Sequence, residues 1–246
     1  DHTEVSFCDV DVQAYRRASG GDIPALVSQK TGVSYLEIPD FPADRIIEDD
    51  DPILSFYQWF WQEGDGWPTL LSRISEGVKS TGRDDIWTWF DPAVRCPSKW
   101  GSGGNVDYLS QWTYSYPDPI KIGQAADELF AMADGRPGQD VMKMTQVIWY
   151  RSGTAPETPE DPADRADWET EQPDARFITI SPDHMREAFW SKMSRPVQGI
   201  MYHGWGSLAP PLGEPGGYRF THDGTWRVLQ ELVEDVVRPL GPALKM

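Results

Sequence analysis

Cysteine is almost missing from this chain: Cys8 and Cys96 are the two among 246 residues. A disulfide framework and a cysteine-based zinc site are thereby excluded. One bridge between the pair in an exported chain, or a buried thiol, both stay open. Long apolar runs are missing too, so the sequence holds no membrane-spanning helix. Basic residues are scarce, with 22 Lys and Arg against 39 Asp and Glu, a net charge of −17. That argues against a nucleic-acid partner, because phosphate contact needs clustered Lys and Arg. A neutral ligand suits such a chain better than an anionic one, and a well-solvated or halophilic surface accounts for the charge equally. No P-loop, no G-x-G-x-x-G and no G-x-S-x-G occurs, so nucleotide, dinucleotide and serine-hydrolase readings lack a signature. No cofactor is called for. "GSGGN" (101–105) reads as a loop and not as a phosphate cradle. The opening "DHTEVSFCDVD" has no basic stretch, no apolar stretch and no initiator Met, and is read as processed, trimmed or one piece of a longer product.

Tryptophan is what the chain has in excess, twelve in all. Trp59, Trp61, Trp67, Trp87, Trp89, Trp100, Trp112, Trp149 and Trp205 stand out, many beside turns or acids. Indole offers a flat apolar face and one N–H donor, which matches the C–H face and hydroxyl rim of a sugar ring. For any one of them, burial in a core is the competing role.

Periodicity orders the rest. Strands are expected at "VSFCDV" (5–10) and "VSYLEI" (33–38). A helix opens at Asp51 as N-cap with Pro52 at its first position and a stripe of Ile53, Phe56, Tyr57 and Phe60. "EGDG" (63–66) breaks it, and a second helix from Pro68 to about Lys79 turns Leu70, Leu71, Ile74 and Val78 inward, with Gly82 closing. "IWTWF" is a strand, and the aromatic run "VDYLSQWTYSYPD" follows a Gly-, Ser- and Pro-rich stretch. "PIKIGQAADELFAMADG" is a helix with Ile122, Ala126, Leu129, Phe130 and Ala133 inward, and "DVMKMTQVIWY" is one strand. Residues 152–175, rich in Pro, Asp and Glu, form a surface excursion. "RFITI", a helix capped by Ser181, the strand "GIMYH" and a closing helix with Trp226, Leu229, Val233 and Val236 inward complete the chain. Strands alternating with helices imply an α/β fold with a parallel sheet, here one domain over 1–246. Its long insertions follow strands, where a (β/α)₈ barrel carries its site.

From "IWTWFDP" through "YHGWGSL" to "VRPLGPALKM" the chain resembles the C-terminal part, strands four to eight, of a TIM-barrel glycoside hydrolase. Acid-tipped aromatic strands, the "YHGWGSL" end of the last strand and an amphipathic closing helix carry that resemblance. It implies hydrolysis of a glycosidic bond by two carboxyl groups, a TIM-barrel-like fold to which this chain brings about five βα units, and three further strands before Asp1. Those strands are cleaved away or supplied by a second polypeptide. An oligo- or polysaccharide substrate and a secreted or periplasmic setting go with it.

The carboxyl candidates are Asp9, Asp11 and Asp91. In a strand, Asp9 and Asp11 share a face with Phe7, and close carboxylates disfavour double ionisation, leaving one as proton donor. Turn capping or pairing with Arg16 or Arg17 is the alternative. In "IWTWFDP" the period of two puts Trp87, Trp89 and Asp91 on one face, two indoles forming a platform with an acid at its end. An Asp-Pro turn with Asp91 bonding its own backbone is the alternative. Glu63 and Asp65 between Trp61 and Trp67 read as an interhelix turn. Trp112, Gln146, Trp149, Tyr150, His203 and Trp205 are expected to line the sugar site, His203 holding a hydroxyl and Trp205 stacking. His2, His184 and His222 supply no zinc set, His184 being placed on the surface of a helix's first turn. Barrel glycosidases commonly carry a late Glu, and neither "TQVIWYR" nor "RFITIS" ends in one. A non-catalytic carbohydrate-binding or assembly subunit that keeps the barrel is therefore the second reading.

Overall fold

The computed structural model describes residues 8–25, 46, 48–62, 67–83, 85–91, 104–113, 118–204, 219–220 and 222–244. Over these the fold is mixed α/β with a parallel sheet of four strands. The chain divides into two compact units, Asp1–Gln111 with Glu128–Val141 and Trp112–Asp127 with Met142–Met246. The boundary falls inside helix α4 (Pro119–Ala133) and strand β4 (Asp140–Gln146). Among the described residues no helix is long and apolar enough to cross a membrane.

The first unit corrects the opening strand. Residues Asp9–Ser19 are helix α1, not the second half of a strand over 5–10. The D-V-D-V alternation mimics a strand, but three helical signals outweigh it. Asp9 and Asp11 lie in the first turn and Arg16 and Arg17 in the last, each sign favourable to the helix dipole. Gly20 closes the helix at φ 75°, its N–H donating to the Arg16 carbonyl at 2.9 Å. The helix buries Tyr15, whose ring meets Phe56 at 5.2 Å and Trp59 at 5.1 Å, edge on. Those partners come from α2 (Pro52–Gln62), which starts as its sequence reads. Asp51 Oδ1 accepts from the Ile53 N–H at 2.9 Å, and Ile53, Phe56, Tyr57 and Phe60 are all buried.

Helix α3 (Trp67–Lys79) forms where expected but is rotated. Leu70 and Ile74 are 47% and 54% exposed, and Ser75 points inward instead. Its hydroxyl donates to the Asn105 carbonyl at 2.9 Å and meets Thr88 Oγ1 at 2.9 Å, so a polar side chain is stable on the buried side. Strand β1 (Trp89–Phe90) pairs in parallel with β2 (Tyr108–Leu109), and β2 with Asp140 and Val141 of β4. The strand expected at 33–38 and the turn expected at 63–66 lie outside the described residues.

In the second unit β3 (Trp112–Thr113) pairs in parallel with Met144 and Thr145 of β4, and β7 (Gly199–His203) runs parallel along residues 142–146. β2 and β3 are two ends of one run interrupted at Ser110–Gln111, which is why their ladders amount to one strand. The long strand expected over "DVMKMTQVIWY" breaks at Val147. Val147 donates to the His203 carbonyl and accepts from the Ile180 N–H, both near 3.0 Å, and the chain then enters a second sheet. There β5 (Ile148–Tyr150) is antiparallel to β6 (Phe177–Thr179), which is parallel to β8 (Arg219–Phe220), a strand the sequence pattern hides in a loop.

The excursion at 152–175 carries a short helix, α5 (Asp167–Thr170), and is tied down. Arg151 lies over the Trp168 ring at 4.6 Å and donates to the carbonyls of Trp168, Gln172 and Ala175. Trp168 enters the unit's core with Val147, Trp149, Ile178, Ile180, Met185, Phe189 and Leu229. Helix α6 (Pro182–Met193) is capped by Ser181, whose side chain accepts from the His184 N–H. The closing helix is α7 (Asp223–Glu231), a π-helical stretch Leu232–Val237, and α8 (Arg238–Leu244). Its inward residues are Val228, Leu229 and Leu232, whereas Trp226 and Val233, expected inward, are exposed. Val236 packs against the core as expected.

Lys192, in the last turn of α6, is fully buried and donates to Thr145 Oγ1 at 2.6 Å. Burial pushes its amine down to about 7. The folded value lies below the unfolded one, about 10.4. Between the two the unfolded chain holds a proton that the folded chain lacks, so stability should rise as pH goes from 7 toward 10. Above pH 10 Tyr202, whose phenol burial raises to about 12, acts with the opposite sign. Chemical denaturation from pH 6 to 10 is expected to show that rise, and Lys192→Met to flatten it while stabilising the chain at pH 6; an unchanged slope in the variant refutes the assignment.

Candidate functional site

Of the run from Ile86 to Asp91 only Trp89 and Phe90 are strand, β1. Phe90 is buried, Trp87 and Trp89 are 46% and 42% exposed, and Ile86 is exposed as well. Asp91, half-buried, follows β1 immediately. The ring of Tyr108 supports Trp87 edge on, with centroids 5.4 Å apart.

The opposite side of this run is anchored, and there the sequence reading missed a residue. Asp107 Oδ2 accepts from the Thr88 N–H at 2.6 Å, the Thr88 hydroxyl at 3.0 Å and the Lys79 ammonium at 2.9 Å. In return the Asp107 and Tyr108 N–H groups donate to the Thr88 carbonyl. Lys79 also donates to the Ile86 carbonyl at 2.9 Å. Burial alone would raise the Asp107 carboxyl, but the Thr88 N–H, Lys79 and the Thr88 hydroxyl outweigh it and hold it below the usual carboxylate range. Asp107 is thus a fixed anion that positions the strand bearing the indoles. Its signal in the sequence was an acid one residue before a strand, with a lysine one helix away, which no local pattern connects.

In the second unit three expected residues meet. Gln146 ends β4 and is in register with His203 at the end of β7. Its Nε2 donates to the Tyr150 hydroxyl at 3.0 Å, while Tyr150 packs edge on against Phe177. Gln146 is buried, Tyr150 half-buried and His203 exposed. A carboxamide, a phenol and an imidazole are hydrogen-bonding groups of the kind that hydroxyls meet. The set contains no carboxylate and cannot supply the nucleophile, and the buried Gln146 presents no open face.

Three placements correct the sequence reading. Asp9 and Asp11 sit two apart on a helix, where side chains do not face each other, so they form no proton-sharing pair. Asp9 is exposed, Asp11 accepts from the Cys8 thiol, and Arg16 pairs with Asp22 and not with either of them. Trp149 is 3% exposed, 5.2 Å from the His184 ring, and is a core residue with no face for ligand. His184 itself is buried and not on the surface, with Nδ1 3.4 Å from Glu187. Trp112 pairs in register with Met144 through its backbone, and its side chain lies outside the described residues, as do Trp205 and Cys96. Among the described residues no group of three His, Cys, Asp or Glu is placed to hold a metal ion.

No known protein family, curated protein or solved structure matches this chain.

Asp107→Asn keeps the shape and removes the anion that receives three donors. The substitution is expected to cost about 1–3 kcal/mol and to shift tryptophan emission as the Trp87–Trp89 run loosens. The folded carboxyl is lowered, so its contribution is present above the unfolded value near 3.9 and is lost as pH falls through the folded one. Acid unfolding monitored by fluorescence should therefore lose part of its steepness below pH 4 in the variant; identical acid limbs would remove Asp107 from this role.

Proposed function

We propose that the protein binds a neutral oligo- or polysaccharide on Trp87 and Trp89, with Asp91 meeting the hydroxyl rim of the bound ring, on the frame of a partial (β/α)₈ barrel of the glycoside hydrolase type. The observation that carries this reading is the pair of exposed indoles at alternate positions of one run, with a carboxylate two residues further on. Two large aromatic rings left in water and rimmed by a polar group are the composition of a sugar platform. The barrel frame is supported by strand order: β1, β2 with β3, β4 and β7 are added in chain sequence, without the reversal of a doubly wound sheet. A secreted or periplasmic setting, where polysaccharide is met, accompanies the reading.

Hydrolysis is the second reading. One observation favours it: Asp91 stands just past the C-terminal end of a parallel strand, the position from which barrel enzymes act. Binding without cleavage ranks above it because hydrolysis needs a second carboxyl group, and Asp9 with Asp11 does not form the expected pair.

Tryptophan fluorescence titration with a panel of neutral glycans is the test. Saturable binding is expected to weaken about tenfold or more in Trp87→Ala and in Trp89→Ala, with little loss of stability because both rings are exposed. No response to any glycan, or binding indifferent to both substitutions, overturns the proposal. Release of reducing ends that disappears in Asp91→Asn establishes hydrolysis, and its absence from the wild type leaves binding alone.

A further inference from the structure

A cleft of about 290 Å³ in the first unit is lined by Pro68, Thr69, Ser72, Arg73, Glu76 and Arg136. Positions 69, 72, 73 and 76 share one face of α3, spaced three and four apart, and Arg136 reaches the cleft from the turn between α4 and β4. The two cation-bearing walls are fixed to the same short segment, 104–106. Ser72 Oγ donates to the Pro68 carbonyl at 2.7 Å and accepts from the Asn105 N–H at 3.0 Å, which holds α3 to the segment. Gln139, three residues after Arg136, donates from Nε2 to the carbonyls of Gly104 and Val106 at 3.2 and 3.0 Å. Gly104 has φ +58°, and a Cβ there would fall 2.3 Å from the Pro68 carbonyl oxygen, so the segment lies flush against α3. Both arginines are therefore presented from backbone that is already tied together.

Charge makes the pairing unusual for this chain. Its arginines generally meet carboxylates, as in Arg16–Asp22, Arg83–Asp85, Arg186–Glu231, Arg195–Asp127 and Arg238–Glu234. Arg73 has no carboxylate partner among the described residues, although Glu76 is one turn away. Glu76 Oε1 instead faces the Asn105 carboxamide at 3.5 Å. In a protein of net charge −17 an acid to neutralise Arg73 is easily supplied, and none of the described residues supplies it.

The geometry points to an oxyanion site in this cleft: Arg73 and Arg136 take a phosphate or sulfate group, borne by a small ligand or free. Guanidinium forks match tetrahedral oxyanions through paired N–H···O bonds, and two arginines line this cleft, one from α3 and one from the turn before β4. Glu76 and the overall negative charge oppose a highly charged ligand, so one oxyanion group per ligand is the class that fits, and its binding should weaken with salt. No residue of the Trp87–Asp91 run is among those that line this cleft.

The experiment is a side-chain NMR titration of the whole chain with inorganic phosphate and sulfate at constant ionic strength, chloride serving as the blank. The Arg73 Nε–H resonance is expected to shift saturably with either anion. Isothermal titration is expected to show affinity falling about tenfold or more in Arg73→Gln and in Arg136→Gln, with Arg73→Lys only partly restoring it. Methyl phosphate distinguishes the source: tighter binding than inorganic phosphate identifies an ester on a larger ligand, and weaker binding identifies the free ion. No saturable shift of Arg73 in the wild type overturns the site, as does affinity unchanged in both glutamine variants. The wild-type titration stands alone should either variant fail to fold.

Discussion

Strand β4 is hydrogen-bonded along both edges, and that constraint organises what surrounds it. One edge takes β2 and β3 and the other takes β7, all in parallel. A strand in that position is ordinarily a continuous apolar run, because both faces are covered. Here it reads D-V-M-K-M-T-Q, and the face of Val141, Lys143 and Thr145 is buried. Polar groups placed there need partners, since an unsatisfied buried donor costs about as much as a hydrogen bond contributes. Thr145 meets the demand by accepting from Lys192, which brings a second lysine stem into the interior from α6. The cost of that arrangement is electrostatic, and it appears as a lysine amine pushed to about 7.

Where β4 ends matters as much as how it pairs. Val147 uses its N–H on the His203 carbonyl and its carbonyl on the Ile180 N–H. One residue thus closes the parallel ladder and opens the antiparallel one. The change of partner sends Trp149 into the core and brings Tyr150 back over Gln146. Arg151, next along, ties down the excursion through three carbonyls and the Trp168 ring. A length of chain that composition marks as a loose surface segment therefore delivers a core tryptophan.

What could be read in advance follows from how local each signal is. Asp51, Pro52 and the stripe after them specify α2 without help from elsewhere, and the structure agrees at each of those positions. The exposure of Trp87 and Trp89 on either side of Thr88 agrees with a period of two, although Ile86 before them is exposed as well. Failures occur where tertiary bonding outvotes a local pattern. Leu70 and Ile74 suit a buried stripe, but Ser75 has two polar partners across the unit and turns the helix toward them. D-V-D-V alternates like a strand, yet its acids also suit a helix's first turn, and the Gly20 cap with Tyr15 burial decides for the helix. Trp149 and Trp87 look equivalent in sequence. Only the break at Val147 separates a core indole from an exposed one.

The two carboxylates around β1 show why position and not residue type assigns chemistry. Asp107 receives hydrogen bonds from a backbone N–H, a hydroxyl and an ammonium, all of which stabilise its charged form. Such a group is a poor proton donor and a good anchor. Asp91 lies just past the strand's end and is half-buried. Thr88, between the indoles, points the other way and commits its hydroxyl to Ser75 and Asp107. Leaving two indoles half in water forgoes on the order of a few kcal/mol of burial, and a rigid aromatic floor recovers it when a ligand with an apolar face covers both rings. A sugar ring brings that face together with hydroxyls for the acid at its edge, and this match of shape and polarity is the reason the platform, more than any carboxylate pair, bears the weight of the functional reading.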